Sequence, residues 1–241
     1  MQNCLGIYIE NNLIKYAKVS KDRDTFKVDA FGIRFFDNLN EAIKKIVEET
    51  YSFTTPISIN FANERYLYYN VFSLLSKNDV QKTVQTEFET FCDENKYNQK
   101  AFETRYALVS NVQNKERIKA IQVIVNKIEL NKQKQYLEKH NLSGILPIGT
   151  AIASITRFEK KENVLIVNME EKTTITTIYD RQIYNVETID HGSQEVLEKI
   201  NRTENSMSKA YEICKGTTIY TANVIDDAKE QPHLEDIIPT L

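Results

Sequence analysis

Hydrophobic and polar positions alternate along three successive stretches near the start of the chain, residues 5–10, 13–19 and 25–36. Short polar segments at 10–12 and 21–24 separate them. Alternation with a period of two, bounded by turn-forming residues, is typical of β-strands. The chain is therefore expected to begin with three consecutive strands, the first two forming a hairpin.

The period then changes to that of a helix from about Leu39. Asn38 is a plausible N-cap, and Glu41 stands three residues later at the capping-box position. The residues predicted to share the buried face are Leu39, Ala42, Ile43, Ile46, Val47, Thr50 and Tyr51.

A longer helix is predicted over residues 76–96, with Ser76 as its N-cap. Its apolar face consists of Val80, Val84, Phe88, Phe91 and Cys92.

The rest of the chain contains segments with the periodicity of strands and segments with the periodicity of helices. Residues 163–169 form a continuous apolar run, which is typical of a strand buried on both faces. Residues 173–190 predict a hairpin that turns near Asp180 and Arg181. The other predicted strands are 56–63, 65–75, 101–112, 117–128, 142–149 and the start of one at 217–221, and the other helices are 129–141, 150–158, 193–200 and 205–215.

Composition narrows the function classes. The 241 residues carry a formal charge of 31 − 34 = −3, so a broad basic surface for nucleic acid is not expected. No stretch approaches the roughly 18 apolar residues of a membrane helix, and direct membrane insertion is not expected. The three histidines are dispersed, so no metal site is predicted.

Two hairpins in the chain resemble each other. Residues 6–19 (GIYIENNLIKYAKV) and 165–179 (LIVNMEEKTTITTIY) each combine an apolar strand, a polar turn containing glutamate and a second β-branched strand. This pattern indicates an internal duplication.

The residues of the first hairpin also resemble a known family. The stretch LGIYIENNLIK (5–15) follows the opening motif of the PilM family of type IV pilus assembly proteins, actin-like relatives of FtsA. Residues 72–91, 106–158 and 164–192 resemble that family's strand and helix, its insert with the return helix, and its second phosphate hairpin. The residues that fit the first motif are Leu5, Gly6, Ile7, Ile9, Ile14 and Lys15.

The resemblance implies an α/β, actin-like fold of the ribonuclease-H type with an inserted αββαβ subdomain, in a chain expected to be C-terminally truncated. It divides the sequence into four segments. These are the first half of a first lobe (1–75), the insert (76–146), a return helix (147–162) and an incomplete second lobe (163–241).

The phosphate motifs depart from the family pattern. Tyr8 and Asn168 stand where the family has aspartate, and Glu10 and Glu170 stand where it has glycine. A carboxylate about 4 Å from a phosphate charge costs roughly 4 kcal/mol at an effective dielectric of about 20. The residues that the resemblance places at a degenerate nucleotide site are Glu10, Asn11, Asn12, Lys15, Asn168, Lys172, Thr173, Thr174 and Gly192.

We therefore expect a pseudo-ATPase without a cofactor, and ATP with Mg²⁺ is the alternative. The expected function is a cytoplasmic scaffold, at the inner face of the membrane, of a pilus or type II secretion-like machine. Its expected partner is the cytoplasmic peptide of a PilN-like membrane protein, held in a groove between the first lobe and the insert; Tyr68, Val71 and Phe88 are the predicted contacts. The rival functions are an ATP-binding switch or weak ATPase, and an FtsA-like protein that self-associates into filaments.

Overall fold

The computed structural model describes residues 2–23, 25–61, 63–110, 116–154 and 163–216. The strands are β1 (Gln2–Glu10), β2 (Leu13–Asp22), β3 (Thr25–Phe35), β4 (Ile57–Phe61), β5 (Arg65–Phe72), β6 (Phe102–Ser110), β7 (Arg117–Asn126), β8 (Leu142–Pro147), β9 (Val164–Met169), β10 (Thr173–Tyr179) and β11 (Gln182–Ile189). The helices are α1 (Leu39–Glu49), α2 (Lys77–Glu94), α3 (Lys127–Tyr136), α4 (Ile148–Ala153), α5 (Gln194–Glu204) and α6 (Met207–Gly216), with a 3-10 turn at Gln99–Ala101.

The first sheet has the strand order β3-β2-β1-β4-β8. The three N-terminal strands are antiparallel, as the turns between them require, whereas β4 runs parallel to β1 and β8 runs parallel to β4. Parallel neighbours need a crossover connection, and α1 supplies it between β3 and β4. One face of this sheet packs on α1 through a continuous apolar core.

Helix α1 confirms the prediction from spacing. The Asn38 side chain accepts a hydrogen bond from the Glu41 N–H at 3.2 Å, and so caps the helix. Tyr51, which was assigned to the buried face, is 81% exposed. The reason is that the helix ends before Tyr51, whose positive φ of 51° turns the chain away. The side chains that α1 buries are Ala42, Ile43, Ile46 and Val47.

The second sheet has the order β5-β7-β6 and is covered on one face by α2. Ser76 caps α2 as predicted, because its side chain accepts a hydrogen bond from the Asp79 N–H. Helix α3 begins at Lys127, two residues before the predicted start, where Asn126 provides the cap. The strand pairing does not follow the predicted segment boundaries at residues 75 and 146. Strand β5 lies before residue 75 but pairs with the insert strands, and β8 pairs within the first sheet. The division into domains stays a prediction.

The third sheet has the order β11-β10-β9. The hairpin between β10 and β11 turns at Asp180 and Arg181, as predicted, and both residues have the positive φ of a type I′ turn. The prediction that residues 163–169 are buried on both faces is wrong. Exposure alternates along β9, and Leu165 is 64% exposed, because in the described part of the chain β9 is an edge strand with one face uncovered.

The short helix α4 follows β8 and packs against β10 and β11. It ends at Ala153, and residues 155–158 of the predicted helix lie outside the described residues. Helices α5 and α6 pack on each other through Val196, Ile200 and Ala210. The strand start predicted at 217–221 also lies outside the described residues. The mixed α/β class, with a second β-sheet inserted between strands of the first, is confirmed.

Candidate functional site

The turn between β1 and β2 approaches the N-terminus of α5. Asn11 adopts a left-handed conformation with φ of 37°, which asparagine tolerates better than most residues. This conformation lets the Asn11 side chain donate a hydrogen bond to the Gln194 Oε1 at 2.9 Å. A hydrogen bond therefore joins the turn between β1 and β2 to α5. We call the region where the β1–β2 turn and the β9–β10 turn meet the N-terminus of α5 the junction.

The turn between β9 and β10 lies under the same helix N-terminus. The Ser193 hydroxyl donates a hydrogen bond to the Met169 carbonyl at 2.9 Å, and the Gln194 N–H donates to the Glu170 carbonyl at 3.3 Å. Gly192 allows this approach, because a Cβ at that position would lie 2.0 Å from the Glu170 carbonyl oxygen. This close contact explains why the second motif has glycine at position 192.

Charged groups meet between the two turns. The Lys15 ammonium group forms an ion pair with the Glu170 carboxylate. The nearby Glu10 is only 7% exposed, and its Oε1 has no hydrogen-bond partner among the described residues. Burial, followed by the negative charge of Glu170, raises the pKa of Glu10 to about 8. At neutral pH the Glu10 carboxyl group is therefore mostly protonated.

Tyr8 and Asn168, the residues in place of two aspartates, complete the junction. Lys15 lies over the Tyr8 ring, 5.8 Å from its centroid. Burial and the charges of Glu10 and Glu170 raise the pKa of Tyr8, whereas an interaction with Asn168 lowers it. Two neutral side chains thus occupy positions where the family resemblance places carboxylates that hold a metal's water shell.

The space between the turns is a cavity of about 50 Å³. Ligand pockets typically have volumes of about 300–1,000 Å³, so this cavity is far too small for a nucleoside triphosphate. Its lining residues come from both halves of the junction and include Glu10, Asn12, Lys15, Glu170, Ser193 and Gln194.

Other predicted nucleotide-site residues have structural partners elsewhere. The Lys172 ammonium group lies 2.8 Å from Asp190 and lines a different cavity. The Thr173 hydroxyl donates to the His191 carbonyl at 2.7 Å, and Thr174 is buried. The structure therefore brings Glu10, Asn11, Asn12, Lys15, Asn168 and Gly192 to the junction and directs Lys172 away from it.

The sequence prediction missed Ser193 and Gln194 as junction residues. The available signal was their position directly after Gly192 at the start of a predicted helix, where the first backbone N–H groups have no partner within the helix and can donate to nearby acceptors.

Of the three residues predicted to contact a peptide, Val71 and Phe88 are buried and Tyr68 is half-buried. Val71 packs beneath α2 with Val80 and Val84, and Phe88 packs against Phe102 on the same side of the second sheet. The Tyr68 hydroxyl donates to the Val186 carbonyl at 2.6 Å and accepts from the Val186 N–H at 2.7 Å. Their assignment to a partner site stays a prediction, but a docked peptide would meet other side chains first.

A larger groove of about 700 Å³ separates the first sheet from the second. One wall is β8, the last strand of the first sheet in the described part of the chain. The opposite wall consists of α3 and the ends of β6 and β7. The apolar side chains that line it are Phe61, Val123, Val125, Leu130, Leu142, Ile145 and Pro147.

Within the described ranges, no group of three or more histidine, cysteine, aspartate or glutamate side chains is placed to hold a metal ion. The same residues contain no helix that is long and apolar enough to cross a membrane.

No family model matches the sequence. No curated protein matches it either.

Solved structures do match. The PilM-PilN type IV pilus biogenesis complex aligns with a TM-score of 0.71 and 13% identity, over 98% of this chain and 72% of that chain. The cytoplasmic domain of EpsL, an inner-membrane component of the type II secretion system of Vibrio cholerae, aligns with a TM-score of 0.54 and 14% identity, over 85% of this chain and 76% of that chain. The chain thus shares the fold of these proteins, and the expected actin-like fold is confirmed.

Proposed function

We propose that this protein is a scaffold of a type IV pilus or type II secretion-like machine, and that it binds a short cytoplasmic segment of a membrane partner without binding nucleotide. The proposal places the protein in the cytoplasm, at the inner face of the membrane.

The observation that carries the proposal is the closed junction between the two turns. Lys15 pairs with Glu170, and Asn11 bonds to Gln194, so protein groups fill the position at which actin-like ATPases hold phosphate. A triphosphate would have to break both contacts and face the two glutamates. The Glu170 carboxylate near phosphate would cost roughly 4 kcal/mol, about half of the 8 kcal/mol that corresponds to a micromolar affinity. Glu10, whose carboxyl group is mostly protonated at neutral pH, would add bulk at the same place.

The groove between the sheets supports the binding part of the proposal. Its volume of about 700 Å³ and apolar lining suit an extended segment of a few residues. The two solved structures with the same fold belong to assemblies of the bacterial inner membrane or pilus. A PilN-like segment is accordingly the proposed ligand, and a second copy of the chain is a further proposed partner.

Site-specific photocrosslinking in cells tests this function. Asn131 lines the groove, and its neighbour Lys132 is exposed on the same helix without lining it. A photoreactive amino acid at position 131 should crosslink to one membrane protein, and the same group at position 132 should not. Equal crosslinking at both positions, or none at position 131, would contradict the proposal.

A further inference from the structure

We propose that the segment bound in the groove is an acidic and apolar strand, which adds to the free edge of β8 and places its carboxylates near Lys134 and Lys127. This inference rests on the proposed function and deepens it by naming the chemistry of the partner.

Within the described residues, one edge of strand β8 is free. Strand β8 pairs with β4 on one side only in the described part of the chain. Five of its six residues line the groove, among them Ser143 and Gly144, whose small side chains leave the backbone accessible. A strand edge with unpaired N–H and C=O groups is a template for an additional strand. The occupant is therefore expected to be extended.

The groove has apolar side chains on both of its walls. Ile145 and Leu142 contact the core of the first sheet, and Leu130 lies on α3 opposite them. Side chains of an extended segment point alternately to opposite sides. Alternate residues of the segment would thus contact this apolar lining, and those between them would face outward.

The groove is lined by more positive than negative side chains. The charged groups that line the groove are Arg105, Lys127, Lys134 and Glu103. Glu103 pairs with Arg105 at 3.4 Å, which leaves an excess of positive charge on α3. The Lys134 side chain has no hydrogen bond or ion pair within the described residues, while the Lys127 side chain donates to the Lys100 carbonyl at 3.0 Å.

The two lysines lie on one side of α3. They are seven residues apart, which is two turns of helix and about 10 Å along the axis. An extended segment of three or four residues spans the same length. Aspartate or glutamate at alternate positions of the bound strand would therefore reach one lysine or both.

A selection from displayed random ten-residue peptides tests the inference on the full chain. The recovered sequences should be enriched in aspartate and glutamate at positions that alternate with leucine, isoleucine or valine. Each recovered peptide is then measured by fluorescence polarisation against the wild type and two variants.

The variants form a matched pair on α3. Lys134→Glu reverses the unpaired charge in the groove and should weaken binding of an acidic peptide about fivefold or more. Lys132→Glu makes the same charge change outside the groove and should change binding less than twofold. The loss with Lys134→Glu should shrink as salt is raised toward 1 M, where charges are screened beyond about 3 Å.

Backbone methylation of the peptide tests the edge pairing. A strand at a sheet edge uses only every second N–H group toward its neighbour. Methylation at one set of alternate positions should abolish binding, and methylation at the other set should leave it. Equal effects of the two sets would overturn the strand addition.

Recovered binders of neutral or basic sequence would overturn the acidic preference and leave the proposed function standing, since the crosslink at Asn131 decides that function separately. A library that yields no binder sensitive to Lys134→Glu would also overturn the inference.

Discussion

The junction of the two turns and the groove beside β8 differ in what fills them. At the junction, side chains of the protein satisfy one another through Lys15 with Glu170 and Asn11 with Gln194, and about 50 Å³ remains. The groove keeps about 700 Å³, an unpaired strand edge and a lysine without a partner among the described residues. The difference is that contacts between side chains leave little space between the two turns, whereas the groove beside β8 stays open.

The largest loss of stability is expected from a substitution that introduces a steric clash at the junction. In Gly192→Ala the new Cβ would meet the Glu170 carbonyl oxygen at 2.0 Å, so the second turn and α5 must separate. We expect a loss of about 3 kcal/mol in the free energy of unfolding, measured by chemical denaturation. Gly216→Ala is the control, because no atom of the described residues lies within 4 Å of a Cβ added at that position. Equal stabilities of the two variants would show that the junction is not tightly packed.

The next effect is the pH dependence of stability that comes from the buried carboxyl group of Glu10. Its pKa rises from an ordinary value of 4.5 to about 8 on folding, so the folded protein binds this proton more tightly than the unfolded chain does. The resulting stabilisation is complete below about pH 4.5 and is lost as the pH rises through about 8.

Glu10→Gln keeps a neutral side chain at every pH. Its stability relative to the wild type should therefore increase by about 4 kcal/mol between pH 5 and pH 8.5. Glu138→Gln, at an exposed position, should show no such change. A difference between Glu10→Gln and the wild type that is constant with pH would contradict the raised pKa.

A smaller loss of stability is expected when Tyr68 is changed. Its hydroxyl group connects the second sheet, which forms part of one wall of the groove, to β11. Tyr68→Phe removes both hydrogen bonds to Val186 and leaves two buried backbone groups unpaired. We expect a loss of about 1–2 kcal/mol in thermal or chemical unfolding. Tyr106→Phe is the matched control, since the Tyr106 hydroxyl group makes no hydrogen bond within the described residues. If the two variants were equally stable, Tyr68 would not hold the second sheet in place.

The smallest effect separates backbone conformation from side-chain contact at Asn11. Asn11→Ala loses the bond to Gln194 and places alanine at a positive φ, so it should cost about 1 kcal/mol. Asn11→Gly loses the same bond but tolerates the conformation, and should cost less than half as much. Equal losses in the two variants would show that the bond to Gln194 dominates and that the backbone conformation contributes little.

Local patterns in the sequence predicted most of the fold. Asn38 and Ser76 each cap the helix that they were expected to cap, and Asp180 and Arg181 form the expected turn. These signals depend on neighbouring residues only. The apolar run of β9 misled the prediction because burial of its second face depends on what packs there, which local sequence does not encode.

The site was predictable only in part. The resemblance between the two hairpins placed Glu10 and Glu170 opposite each other, and the structure confirms that they are neighbours. It could not show that Lys15 would pair across the junction, because that contact joins residues 155 positions apart. Val71 and Phe88 were chosen by position in the chain, and burial under α2 became visible only once β5 was known to join the second sheet.

Isothermal titration of the full chain with Mg-ATP tests the closed junction most directly. The account predicts no heat of binding up to about 1 mM nucleotide, for the wild type and for Lys132→Glu alike. A saturable isotherm with a Kd of about 10 μM, strengthened by Glu10→Gly, would contradict it.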